Sequence, residues 1–183
     1  MKTIGFFYNP NIHPSTEFIR RVESLKSVSL LKALPIIWHE GGYGLQEWLH
    51  ALEGIYDFGQ RCARCYEMRI DESVQVARKM NIPNFTTTLL YSKYQLHETI
   101  REICMEKQEK YGVNFYYEDF RQGWNYGIEE SKRLGLYRQP YCGCIFSEAE
   151  RYSKKLANFS KTLETCTNYS ITGKEEGIHG PLS

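Results

Sequence analysis

With 183 residues, 42% of them hydrophobic and 25% charged, the chain is long enough for one ordinary domain with a real core and carries no bias towards disorder. A formal net charge of +1 excludes a global field that would draw it onto nucleic acid or membrane, so any RNA contact must come from a local basic and aromatic patch. No stretch approaches the ~20 apolar residues of a membrane span, and the N-terminus is too short and too aromatic for a signal peptide, which predicts a soluble, cytoplasmic protein.

Residues 2–8 read as a short buried strand that ends at Asn9-Pro10-Asn11. Ser15 is placed to cap a helix over roughly 16–33, with Phe18, Val22, Leu25 and Val28 at helical spacing and Arg20, Arg21 and Glu23 elsewhere on its surface. Pro35 to Trp38 is a second strand, Gly41 to Gly44 a turn, and Leu45 to Leu52 a short helix. A third helix is predicted from about Cys62 to Lys79, then a β-branched strand from Phe85 to Leu90. A helix from Leu96 to Lys110, a strand from Val113 to Tyr117, and helices over 123–134 and 145–156 complete the pattern. Strands alternating with helices predict an α/β fold: a parallel sheet flanked by helices, in one domain over residues 1–157, with a weakly periodic tail at 158–183. In such sheets ligands lie beyond the carboxyl ends of the strands, where Asn9 to Pro14, Ser92 to Tyr94 and Glu118 to Arg121 are all expected.

Chemistry concentrates in the cysteines, of which the chain has six. Cys62 and Cys65 stand at C-x2-C spacing, and Cys142 and Cys144 flank a glycine. In a reducing compartment such pairs point to a metal site or redox chemistry rather than to disulfides. If Cys62 opens the third helix, both early thiols lie on its first turn, where the helix dipole favours thiolates. The spacing admits an iron–sulfur cluster, a zinc ion or unrelated thiols: zinc favours two C-x2-4-C knuckles, while cluster ligands come at varied spacings. Cys104 and Cys166 read as bystanders.

Asp119 follows a strand and is a candidate proton donor or oxygen ligand, against pairing with Arg121 on the surface. His13 is either a proton donor or a loop-stabilising residue. Arg61, Arg64, Arg69, Arg138, Tyr137 and Tyr141 cluster about both cysteine pairs and suit phosphate contact and base stacking. The dinucleotide, P-loop and hydrolase-elbow motifs are absent, so a redox enzyme of this sequence takes its electrons from outside.

Taken in order, several segments resemble the QueH-type epoxyqueuosine reductases. They are Phe6-Phe7-Tyr8-Asn9-Pro10-Asn11-Ile12-His13-Pro14, Arg61-Cys62-x-x-Cys65-Tyr66-x-x-Arg69, Phe85-Thr86-Thr87-Thr88-Leu89, Asp119-Phe120-Arg121 and Tyr137-Arg138-Gln139-Pro140-Tyr141-Cys142-Gly143-Cys144-Ile145-x-Ser147. The resemblance implies a fold like the adenine-nucleotide alpha-hydrolase (HUP-like) group, with additional helices. It also implies a 4Fe–4S cluster, with an additional iron beside it, and reductive removal of the epoxide oxygen of epoxyqueuosine at the wobble position of tRNA. The tRNAs implied carry GUN anticodons (Asp, Asn, His, Tyr), and electrons come from an external low-potential donor. Carried over by motif, Cys62, Cys65, Cys142 and Cys144 are the cofactor thiolates; by position, Asp119, Arg138 and Tyr141 are the catalytic candidates expected nearest them. The family usually opens with a further strand and a Cys-Cys-x-Pro segment ahead of the strand that here begins at Lys2. This sequence starts after that segment, on which the additional iron and one sheet position are expected to depend. Two rival readings of the same residues are a zinc-stabilised, non-catalytic RNA-binding module and a thiol–disulfide oxidoreductase.

Overall fold

The computed structural model describes residues 3–172, with side chains as far as Leu163. Strands and helices alternate as expected: β1 (Gly5–Phe7), α1 (Ser15–Lys32), β2 (Ile36–Trp38), α2 (Leu45–Ala51), α3 (Phe58–Lys79), β3 (Asn84–Phe85), α4 (His97–Tyr111), β4 (Asn114–Phe115), α5 (Trp124–Arg133) and α6 (Ile145–Thr172). Two short 3-10 turns, Thr88–Tyr91 and Phe120–Gly123, follow β3 and β4. Pairing is parallel throughout, with a helix crossing between partners, so the class is α/β. The single sheet that was expected is instead two two-stranded ladders among the described residues, β1 with β2 and β3 with β4. Gly5 pairs with Ile36 in the first, and Phe85 with Phe115 in the second.

Local chemistry accounts for where the elements depart from expectation. The strand predicted over 85–90 stops at Phe85 because Thr87 turns its Oγ1 onto the Leu89 amide at 3.2 Å. That side-chain bond gives the backbone an alternative to the ladder, and a 3-10 turn results. Helix α3 begins at Phe58 rather than Cys62, since Asp57 accepts a hydrogen bond from the Gln60 amide at 2.9 Å. Cys62 and Cys65 therefore lie beyond its first turn, where the dipole no longer governs them. Ser15 is the first residue of α1 and Pro14 its cap. Helix α6 does not stop near Leu156 but runs to Thr172; the remainder of the tail, and the side chain of Cys166, lie outside the described residues.

The main core is the contact of α3 with α4 over β3 and β4. Tyr66, Ile70, Val74 and Ala77 recur at helical spacing on α3 and are buried against Ile100, Cys104, Leu90, Phe85 and Val113. Cys104 is fully buried there, as a small hydrophobe should be. Among the described residues no helix is long and apolar enough to cross a membrane.

One cation ties these two helices. The Lys107 side chain on α4 is 3% exposed, and its Nζ lies 3.3 Å from Glu67, 3.3 Å from Asp71 and 3.0 Å from Glu106. Burial alone would lower the ammonium pKa, but hydrogen bonds to the three carboxylates outweigh it and hold the value above its ordinary one. Burial likewise pushes Asp71 up, yet hydrogen bonds from Tyr111, Gln75 and Lys107 bring it below the usual carboxylate range. Lys107→Met should therefore destabilise the fold by about 1–3 kcal/mol, the partial exposure of the carboxylates keeping the loss below that of a fully buried network. Asp71's contribution is present above an unfolded pKa near ~3.9 and is lost as pH falls through its depressed folded value. Denaturation at pH 7 and pH 3 should show a smaller gap between wild type and variant at the lower pH. An equal gap at both would remove Asp71 from the account.

Candidate active site

The cysteine pairs come from the body of α3 and from the loop that opens α6, and the fold brings them together. Cys142 lies within electrostatic reach of both Cys62 and Cys65. Its sulfur is 3.6 Å from that of Cys144, and Ser147 Oγ is 3.0 Å from Cys142 Sγ. Cys65 and Cys144 share a small cluster with Trp48, Leu52 and Met68, while Cys62 packs on the main core.

What holds the second pair in place is α1. The Arg21 side chain, 10% exposed, donates from Nη1 to the Cys142 carbonyl at 2.8 Å and from Nη2 to the Tyr141 carbonyl at 3.0 Å. Its Nε donates to Glu17 at 2.8 Å, one helical turn back, and the Glu17 carboxylate also accepts from the Tyr137 hydroxyl. The Tyr141 hydroxyl donates to the His13 carbonyl at 2.5 Å, and the His13 amide to the Gly143 carbonyl at 2.7 Å. Gly143 adopts φ +126, and a Cβ there would stand 3.0 Å from Arg21 Nη1 and 3.1 Å from Asn11 Nδ2. Only glycine lets the chain pass between the two thiols at that approach.

Electrostatics divide the thiols. Burial first, and then Cys142, pushes Cys62 up to about 11. Burial raises Cys65 as well, against the opposing pull of Arg69. The dipole-lowered thiolates expected on α3 are thus not found: these positions are dry, and desolvation disfavours the charged form. Cys142 moves the other way, to about 5, because Cys144 hydrogen-bonds to it and Ser147 and Arg69 add to that effect against burial. Cys144 rises correspondingly, through its hydrogen bond with Cys142 and then through burial.

Beside the Gly143 loop, Asn11 Oδ1 and His13 Nδ1 are buried without a hydrogen-bond partner, while the Trp48 and Arg69 nitrogens face the Cys65 sulfur and favour its charge. Unsatisfied buried groups are scarce in folded proteins, and a pair of them suits a polar guest. The donor set itself is soft, four thiols with no carboxylate among them. Among the described residues no three His, Cys, Asp or Glu side chains gather closely enough to hold one metal ion.

Other residues singled out in the sequence are placed as follows. Asp119 caps the second 3-10 turn and pairs with Arg121, whose Nε and Nη2 each lie 2.7 Å from its oxygens. The Arg121 hydrogen bond holds the Asp119 carboxyl at about 2. Arg138 is exposed, and its charge helps to lower the Glu129 pKa. Burial, and then the Glu148 and Glu17 carboxylates, push the Tyr141 phenol above its ordinary value. Arg69 donates to Asn9 Oδ1 at 2.5 Å, Arg64 pairs with Glu67, and Arg61 lies 4.1 Å over the Phe146 ring. Arg21, read from periodicity as a surface residue, is in fact the clamp of the Cys142 loop. The signal for it was present in the i, i+4 spacing of Glu17 and Arg21. Ser147 stood in the motif that ends Cys144-Ile145-x-Ser147, whereas Trp48 carried no signal, because its contact with Cys65 is distant in sequence.

The family model for Epoxyqueuosine reductase QueH matches residues 1–150. Proteins named epoxyqueuosine reductase QueH from three bacteria are similar to the chain. That of Thermotoga maritima is 40% identical over 157 residues, covering 81% of this chain and 81% of its own. That of Dehalococcoides mccartyi is 32% identical over 149 residues, covering 81% and 80%. That of Histophilus somni is 32% identical over 165 residues, covering 87% and 67%. A match over so much of the chain, through both cysteine pairs and the loop clamped by Arg21, shows that the chain belongs to the epoxyqueuosine reductase QueH family.

Proposed function

We propose that the chain reduces epoxyqueuosine to queuosine at the wobble position of tRNA, using a 4Fe–4S cluster held by Cys62, Cys65, Cys142 and Cys144. The observation that supports the cofactor assignment is a soft set of four thiols, with Cys142 within electrostatic reach of Cys62 and Cys65, beside buried polar atoms that lack partners. The substrate follows from the family; the tRNAs proposed are those with GUN anticodons, and the electrons come from an external low-potential donor. The same reading places the fold with the HUP-like group, in keeping with its parallel βαβ pairs.

Removing the epoxide oxygen takes two electrons and two protons, and yields an alkene and water. When bound, such a cluster supplies single electrons and a Lewis-acidic iron. The chain's own residues do the rest. Arg21 and Gly143 fix the direction in which Cys142 and Cys144 present their sulfurs. Tyr141 keeps its proton at neutral pH, because burial and the nearby carboxylates disfavour the phenolate. It is the candidate proton donor, on exchanging the His13 carbonyl for substrate oxygen. Asp119 is an anion at neutral pH and acts through its charge or as an acceptor rather than as an acid. Arg138, exposed beside the Cys142 loop in sequence, suits a phosphate of the tRNA backbone. An unpaired anticodon base can be splayed out to reach such a pocket.

Protein purified without oxygen should contain about four irons and four acid-labile sulfides per chain and convert epoxyqueuosine-bearing tRNA to queuosine when given a reductant. Cys142→Ala should abolish that conversion, because loss of a ligand costs more than the roughly 10–100-fold typical of an outer-shell partner. One zinc without sulfide would instead favour the RNA-binding module, and normal turnover by the variant would end the cofactor assignment.

Arg21→Met should leave the buried Glu17 without its ion pair and two carbonyls without donors, lowering stability by about 3 kcal/mol. In a chain of this size that is a fall in Tm of roughly 6–12 °C. Adding Glu17→Gln should recover part of the loss, because the neutral amide no longer needs a buried counter-charge. Additive losses in the double variant would show that the two residues act independently of each other.

A further inference from the structure

Beyond the cysteines, the segments that follow β3 and β4 converge on an exposed aromatic surface with a cation in it. After β3 the chain makes its 3-10 turn, Thr88–Tyr91, and presents Lys93 and Tyr94; after β4 it makes the second, Phe120–Gly123, and presents Trp124. The Tyr94 and Trp124 rings stand edge to face, with centroids 5.7 Å apart. Lys93 Nζ lies 5.5 Å from the centroid of one and 5.4 Å from that of the other. Tyr94 is 73% exposed, far more than a ring held only for packing.

The support beneath is built and rigid. Tyr91 packs on Trp124 with centroids 5.1 Å apart and donates its hydroxyl to the Trp124 carbonyl at 3.1 Å. Gly127 leaves room for that hydroxyl, which would stand 2.1 Å from a Cβ at this position. Trp124 is thereby held from below while Tyr94 and Lys93 stay open to solvent.

A direct link runs from this surface to the cysteines. Buried Tyr66 donates to Gln95 at 2.6 Å and accepts from the Leu96 amide at 3.3 Å, and it stands beside Cys62, whose thiolate it favours against burial. The segment bearing Lys93 and Tyr94 is therefore anchored at the edge of the thiol site. It also lies at the carboxyl ends of parallel strands, where α/β folds hold their ligands.

We infer that Tyr94, Trp124 and Lys93 form a stacking platform for an unpaired anticodon-loop nucleotide next to the reacting base, with Lys93 turning to that nucleotide's phosphate. Open aromatic faces with an adjacent ammonium are the chemistry that holds single-stranded nucleic acid: rings stack on bases of any identity, and the cation meets the backbone. The inference rests on the proposed tRNA substrate and assigns these residues to binding, not to electron or proton transfer.

The test uses the full chain and a synthetic anticodon stem-loop of about 17 nucleotides, with 2-aminopurine in place of the loop base beside the wobble position. The control is an RNA duplex of matching length. The wild type should bind the stem-loop in preference to the duplex and change the 2-aminopurine fluorescence on binding. Tyr94→Leu should weaken stem-loop binding roughly ten-fold or more and lose the fluorescence change, while Tyr94→Phe should keep both. Lys93→Gln should weaken it less and reduce the slope of log affinity against log salt by about one. Thermal unfolding of the two Tyr94 variants should match the wild type, since the ring is exposed. Equal binding and fluorescence in Tyr94→Leu and wild type would overturn the platform and leave the substrate assignment intact. A wild type that fails to prefer the stem-loop to the duplex would overturn both.

Discussion

The arrangement of the thiols depends on one buried guanidinium. Arg21 is held by Glu17 from its own helix and spends its remaining donors on two successive carbonyls of the Cys142 loop. A planar fork with fixed directions can orient a loop in a way that a lysine ammonium cannot. Because the bonds go to backbone rather than to side chains, they set the path of the chain, and with it the directions of the sulfurs on either side of Gly143. The carboxylate beneath is kept charged by the arginine and by the Tyr137 hydroxyl, so a buried ion pair here serves to fix geometry.

The other half of the site rests on packing. Helix α3 carries Cys62 on the face that packs on the main core and Cys65 against Trp48 and Leu52, and Lys107 locks that rod to α4 through carboxylates on both helices. Burial places these thiols in a dry environment that keeps them protonated until something displaces the protons. Cys142, by contrast, sits among hydrogen-bond donors that favour its charge. Cys62, Cys65 and Cys144 are thus held protonated, and Cys142 alone is favoured as a thiolate.

Around the thiols, the carboxyl ends of the strands supply what surrounds a substrate. The segment after β1 brings Asn9 to Arg69 and His13 to the Gly143 loop, and the segment after β3 joins Tyr66. The β3 and β4 segments also raise aromatic rings beside this region. The two ladders are short, yet the parallel sense within each puts the loops that follow its strands at one end of that ladder.

Much of this was legible in residues alone. The order of strands and helices followed from hydrophobic period, the two cysteine pairs from spacing, and the family from the ordered set of motifs through Cys144. Helix α3 showed its buried face plainly, because Tyr66, Ile70, Val74 and Ala77 repeat along it. Its true start did not show, since Asp57 as a cap competes with any reading centred on the cysteines. Nor did the early end of β3, where Thr87 bonds its own backbone, nor the length of α6. The site was legible as a list of residues but not as a set of directions. Arg21 reads as a surface charge on its helix until residues more than a hundred positions away are folded against it. The pKa pattern of the thiols likewise depends on which of them is dry and which is hydrogen-bonded. Sequence by itself determined which groups the chain has to offer, through local periodicity and spacing. Tertiary structure alone decided what each group does, because desolvation, ion pairing and hydrogen-bond direction depend on neighbours brought together only by folding.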